Sequence, residues 1–187
     1  MEWNIPGTVL TCPLEDAAAA QDRFAAMFLG GDIVLSQVVA VTGLEPYAVQ
    51  NWVKRGFLSP PQRKKYTLRQ LCRIININML RPVLPMERIC GLLAYINGDL
   101  GDESDDIIDD SQLYFMFLRL AARAEAPGNG DDWNGCIEKE MAAYREPAEG
   151  AAERVEKVLR IMLTAWASAK LQRKAEKMLD EIGGNNE

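Results

Sequence analysis

The order of chain breakers between residues 30 and 98 restricts what this part of the protein can become. Gly30-Gly31, Gly43, Pro46, Gly56, Pro60-Pro61, Pro82 and Pro85 cut an apolar stretch into short pieces. Proline ends or opens a helix and glycine closes one, so no long helix can run through. Ser36 suits an N-cap for the first piece, Val38, Val39 and Val41 give its apolar face, and Gly43 closes it. Pro46 falls in the first turn of the second piece, where its missing N–H costs nothing. Val49, Trp52 and Val53 then recur at i, i+3, i+4, and Gly56 suits the C′ position. The other face of that helix carries Tyr47, Gln50, Asn51 and Lys54.

Phe57 to Tyr66 contains the double proline and is too short for more than a tight β-ribbon. Thr67 caps a third helix with Leu68, Leu71, Ile74, Ile75 and Met79, ended by Pro82. Pro85 opens a fourth with Met86, Ile89, Leu92, Leu93 and Ile96. The spacing therefore predicts four helices and a ribbon over residues 32–97.

On the N-terminal side, residues 1–13 hold Pro6, Gly7 and Pro13 and read as irregular. Leu14 to Leu29 reads as one helix stopped by Gly30-Gly31. On the C-terminal side, Asp99 to Asp110 is strongly acidic and reads as a solvated linker and helix start. Helices are expected over Ser111 to Ala124, Cys136 to Arg145 and Ala148 to Ile182, with a loop from Pro127 to Gly135. No alternating apolar run of five or more occurs after residue 100, which predicts a C-terminal half free of strands. The expected class is mainly all-α, in three segments: 1–31 with one helix, 32–97, and an acidic helical 98–187.

Composition removes several function classes. Of 187 residues, 48% are apolar and 26% charged, the profile of a folded chain with an ordinary core. There is no histidine, which excludes Ser-His and Cys-His nucleophile systems and imidazole metal sites. Cys12, Cys72, Cys90 and Cys136 lie far apart with no Cys-x-x-Cys, against a zinc site or a disulfide framework. No phosphate-binding glycine loop occurs. No secretory signal or membrane-length apolar run is evident. The expectation is a cytoplasmic protein that is not an enzyme and holds no cofactor or metal.

The net charge of −6 hides an asymmetry. Between Ile33 and Ile96 stand nine basic residues against two acidic ones, a net of +7; the rest, with twelve basic and twenty-five acidic, carries −13. A basic unit inside an acidic chain is the footprint of a polyanion partner.

The same stretch resembles the DNA-binding domain of the MerR family in five ordered parts. These are Leu35-Ser36 with Thr42-Gly43-Leu44; Trp52-Val53-Lys54-Arg55-Gly56-Phe57-Leu58; the turn Ser59-Pro60-Pro61; Arg63 to Tyr66 with Leu71 and Ile74; and Leu84-Pro85-Met86-Glu87-Arg88-Ile89 with Leu92-Leu93. The resemblance covers about a third of the chain. It implies a winged helix-turn-helix with a short wing and double-stranded DNA as partner. The second helix, about residues 46–55, would enter the major groove, and the wing, 57–66, would grip phosphates. Tyr47, Gln50, Asn51, Lys54 and Arg55 on the helix and Arg63, Lys64, Lys65 and Tyr66 on the wing then form the DNA-binding set. The family commonly has Arg and Tyr where this chain has Gln50 and Asn51, and a longer wing; Asn and Gln can still read adenine edges. The whole chain is similar to a bacterial family known only as a domain of unknown function, with a MerR-like first half and a helical second half.

Several residues have a second reading. Trp52 fits the core at its helical spacing. Tyr66 either binds phosphate or packs the wing. Tyr114, Phe115, Phe117, Trp133, Tyr144 and Trp166 are core residues or the lining of an effector pocket. In the last helix the apolar set runs through Val155, Val158, Met162, Ala165 and Ala169, then shifts to Leu171, Ala175, Met178 and Ile182. One continuous coiled-coil seam would not shift, so the helix packs within its own domain, with dimer contacts on part of it. Two function classes follow: a DNA-binding transcriptional regulator acting as a homodimer, or a protein-interaction module on the same fold. They separate on whether the basic residues stay free or are neutralised by the acidic run 99–110.

Overall fold

The computed structural model describes residues 2–126 and 133–183. It is mainly helical. Strands β1 (Glu2–Asn4) and β2 (Thr11–Pro13) form a hairpin, and a 3-10 turn, Leu14–Ala19, leads into α1 (Ala20–Ala26). There follow β3 (Ile33–Val34), α2 (Leu35–Thr42), α3 (Pro46–Lys54) and β4 (Lys65–Tyr66). Next are α4 (Leu68–Leu80) and α5 (Met86–Asn97), a short 3-10 turn, Glu103–Asp105, and then α6 (Asp110–Glu125), α7 (Trp133–Met141) and α8 (Ala151–Gly183).

The four helices expected over 32–97 are present, and their punctuation explains them. Gly43 closes α2 at φ 67°, a left-handed conformation that costs glycine little. Thr67 caps α4 reciprocally: its hydroxyl accepts from the Gln70 amide at 3.2 Å, while the Gln70 side chain accepts from the Thr67 amide at 3.0 Å. The cap of α2 is a correction. Ser36 lies inside the helix, which begins at Leu35, and Gln37 Oε1 instead accepts from the Val34 amide at 3.0 Å.

The N-terminus departs further from expectation. Residues 2–13, expected to be irregular, are a hairpin, pairing Trp3 with Cys12 and Asn4 with Thr11. Three-residue strands are too short to show alternation in a sequence. The expected helix Leu14 to Leu29 splits into the 3-10 turn and the seven-residue α1. The hairpin loop is also wedged into the body. Asn78 Nδ2 donates to both Gly7 O (2.9 Å) and Thr42 O (3.0 Å), and Tyr114 Oη donates to Pro6 O (2.9 Å). A Cβ on Gly7 would stand 2.6 Å from the Ile75 carbonyl, so only glycine permits this approach.

Helix α4 is the hub. Every residue from Leu71 to Ile77 is buried, which no surface helix would allow. It packs on α2, α5, α6 and α8. One apolar cluster runs from Trp3 to Trp166, so residues 97–98 do not mark a gap between two cores. The aromatic residues of the second half belong to it. Tyr114 and Phe117 are fully buried, Phe24 meets Tyr114 edge-on at 5.8 Å, and Phe117 meets Trp166 edge-on at 6.1 Å. Trp133 and Tyr144 are half-buried against the cluster.

After residue 100 no strand occurs among the described residues. Helix α7 begins at Trp133 rather than Cys136 and stops at Met141 rather than Arg145, and α8 begins at Ala151 rather than Ala148. Residues 127–132 of the expected loop lie outside the described residues. No described helix is long and apolar enough to cross a membrane.

Candidate nucleic-acid interface

Helix α3 buries Val49 and Trp52 and turns its other face outward. Tyr47 is 76% exposed, Gln50 and Lys54 are exposed, and Asn51 is half-buried. Trp52 is a core residue.

The turn after α3 holds the most informative geometry. Lys65 N donates to Gln62 O at 2.8 Å, closing a tight turn whose two central residues are Arg63 (φ 49°) and Lys64 (φ 63°). Two consecutive left-handed residues are the pattern that Asn-Gly ordinarily serves. Here both are cations, and each non-glycine residue in that region costs about 1 kcal/mol or more. The turn is therefore kept with side chains that work against its backbone.

The strand leaving the turn alternates. Lys65 faces out, and Tyr66 is 3% exposed, its phenol raised above its ordinary pKa by burial. Tyr66 thus packs and is removed from the exposed set. The strand's partner also corrects the sequence reading. The 57–66 segment does not pair with itself along its length; Lys65–Tyr66 pairs with Val34–Ile33, just before α2. The descending limb is held instead by α4. Gln70 Nε2 reaches Ser59 O (3.1 Å), Ser59 Oγ (3.0 Å) and Pro60 O (3.2 Å), and Arg73 Nε donates to Phe57 O at 3.1 Å. Gln70 and Arg73 were not identifiable as braces, because most of their partners there are backbone atoms of a segment with no regular structure.

Seven of the nine cations divide into paired and exposed sets; the other two, Arg81 just after the end of α4 and Arg88 on α5, are exposed. Arg69 pairs with Asp106 and lies 3.6 Å from Asp109 and 3.8 Å from Asp110. Arg73 pairs with Asp110 at 3.3 Å, both side chains nearly sealed from water. The acidic run is thus not a solvated linker throughout: its last residues are counter-ions for two arginines that α4 turns inward. Burial raises the carboxyls of Asp106 and Asp110 above their ordinary range, outweighing the opposing pull of the arginines. Arg55 pairs with Glu87 at 3.2 Å, with its guanidinium 4.5 Å from the Phe57 ring centre. Lys54, Arg63, Lys64 and Lys65 are exposed and make no ion pair among the described residues. No group of three or more Cys, Asp or Glu among the described residues is placed to hold a metal ion.

Residues 32–117 match a family described as a domain of unknown function (DUF1836). The match passes beyond α5 into α6 and so includes both the exposed cations and the Arg69 and Arg73 ion pairs. Over 86 residues the chain is 29% identical to "Uncharacterized protein YkrK" of Bacillus subtilis (strain 168), covering 44% of this chain and 37% of that protein. The chain therefore matches little more than a third of that relative's length. No solved structure matches the chain.

Proposed function

We propose that the protein binds double-stranded DNA as a transcriptional regulator, through a MerR-like winged helix-turn-helix formed by α2, α3 and the Gln62–Lys65 turn. The observation that carries the reading is the Arg63-Lys64 pair. A left-handed turn is kept with two exposed cations, unpaired among the described residues, where asparagine and glycine would cost less, and such backbone strain clusters at functional sites. Cations fixed on a tight turn suit phosphate contact. The outward face of α3, with Tyr47, Gln50, Asn51 and Lys54, supplies hydrogen-bonding groups for base edges. Tyr66 has no part in contact, and Arg55 reaches DNA only by leaving Glu87.

A second reading rests on a specific observation. Arg69 and Arg73 are internally neutralised, so part of the basic character that suggested a polyanion is structural. On that reading the fold serves protein contacts alone. Titration of labelled genomic-fragment duplexes at several salt concentrations decides between them. DNA binding gives affinity that falls linearly with salt on logarithmic axes. Absence of binding to any duplex at low salt replaces it with the interaction module.

A further inference from the structure

A cavity of about 310 Å³ lies between the descending limb of the basic turn and the acidic run. Ser59, Pro60 and Gln62 line it from the limb, and Leu100 and Gly101 from the acidic run. Arg69, Arg73 and Asp110 line the rest, together with the first turn of α4. Its volume is at the lower end of the range for small-molecule sites. Its polar side chains are not fully matched. Asp110 is 1% exposed; its Oδ2 takes Arg73, and its Oδ1 has no hydrogen-bond partner. Asp106 gives Oδ2 to Arg69, and its Oδ1 is likewise without one. Buried acceptors left in this state are costly. The charges do not balance either. Asp106, Asp109 and Asp110 stand around two guanidiniums, those of Arg69 and Arg73, which leaves one negative charge.

The cavity is therefore short of donors and of positive charge, and an anion would be repelled. A metal ion is a poor match, because no group of three or more Cys, Asp or Glu among the described residues is placed to hold one. The complementary occupant is an organic cation with N–H donors. Pro60 and Leu100 give it apolar surface suited to a methylene stem. The two ends of the cavity differ in charge. The exposed Asp99 and Asp102 flank Leu100 and Gly101, whereas Arg63 follows Gln62 on the opposite wall. We propose that this cavity binds a small aliphatic diamine, with one ammonium on Asp110 Oδ1, the stem against Pro60 and Leu100, and the second ammonium toward Asp99 and Asp102. Because one wall is the limb that carries the Gln62–Lys65 turn, an occupant ties that turn to the acidic run. The site includes none of the residues proposed to touch DNA, so its failure and the failure of that reading are separable.

Calorimetric titration of the full chain with 1,4-diaminobutane at low salt is the test. The expected result is one saturable site with a Kd below about 1 mM. Butylamine should bind several-fold more weakly, and butyrate not at all. Asp110→Asn removes the charge at nearly constant shape, and Leu100→Trp fills the cavity without touching a charge. Each should weaken binding at least tenfold, with helical content checked by circular dichroism; should D110N fail to fold, L100W decides. No saturation up to about 10 mM overturns the proposal. So does binding unchanged in L100W, and so do several weak sites of equal affinity, which would mean attraction to the acidic surface alone.

Discussion

Arg73 on α4 donates to Asp110 at 3.3 Å, an acid 37 positions further along, at the first residue of α6, and water reaches almost none of either side chain. The pair joins the basic stretch to the acidic one through the centre of the molecule. Removing one partner strands the other charge in the core. Asp110→Ala should therefore destabilise the fold by roughly 3–5 kcal/mol, measured by urea unfolding at neutral pH. A loss below about 1 kcal/mol would mean that water reaches Arg73 once the acid is gone.

The pH dependence of this region has a definite sign. The Asp106 carboxyl is raised in the folded protein, mainly by burial. A raised folded pKa means the native state holds its proton more tightly than the unfolded chain does. Its contribution is full below the ordinary value of 3.8 and is lost as pH rises through the folded value. Relative to Asp106→Asn, the native chain should therefore gain stability as pH falls through that window. Parallel stability curves for the two proteins would show that Asp106 is not the group responsible.

Lys64→Gly separates fold from contact. Glycine suits the left-handed position, so stability should rise by up to about 1 kcal/mol. Affinity for all duplexes should fall together, and the salt slope should drop by about 0.9. Thermal unfolding and duplex titration of one variant check both halves. Gain of stability with unchanged binding would remove Lys64 from the phosphate-contacting set.

The outward face of α3 should behave differently. Gln50→Ala and Asn51→Ala should each cost roughly 1–3 kcal/mol on a selected site and little on random DNA. Competition titration of selected against random duplexes reads the difference. Equal losses on both would make these residues backbone contacts rather than base readers.

Glu87→Gln releases Arg55. The pair is exposed, so stability should change by less than about 1 kcal/mol. Duplex affinity should rise, by about twofold to tenfold at low salt, because one cation is freed and one acid removed. The rise should shrink at high salt; a salt-independent change would point to altered packing at Phe57 instead.

Much of the helical layout was legible in the sequence, because its signals are local. Gly43, Pro46, Thr67 and Pro85 act within a turn of where they stand, and they bracket the helices seen. Two things escaped for one shared reason, distance along the chain. The partner of Lys65–Tyr66 is Ile33–Val34, and the partners of Arg69 and Arg73 are Asp106 and Asp110. A count of charges could not tell the inward-facing arginines from exposed ones until α4 was known to be buried on nearly every side. Of the nine residues first grouped as a DNA surface, Tyr66 fell out through strand alternation, which a two-residue strand cannot announce. The left-handed backbone at Arg63 and Lys64 was equally hidden, since neither residue type signals it.

The pairing of Ile33 with Tyr66 also orders events in time. It fastens two segments 33 positions apart, and the whole of α2 and α3 lies in the loop it closes. Such a closure gains little until the enclosed helices have docked. The basic turn hangs on that last clasp. A nascent or partly unfolded chain therefore displays the charges of this region without their arrangement, and only the finished fold offers them as a set.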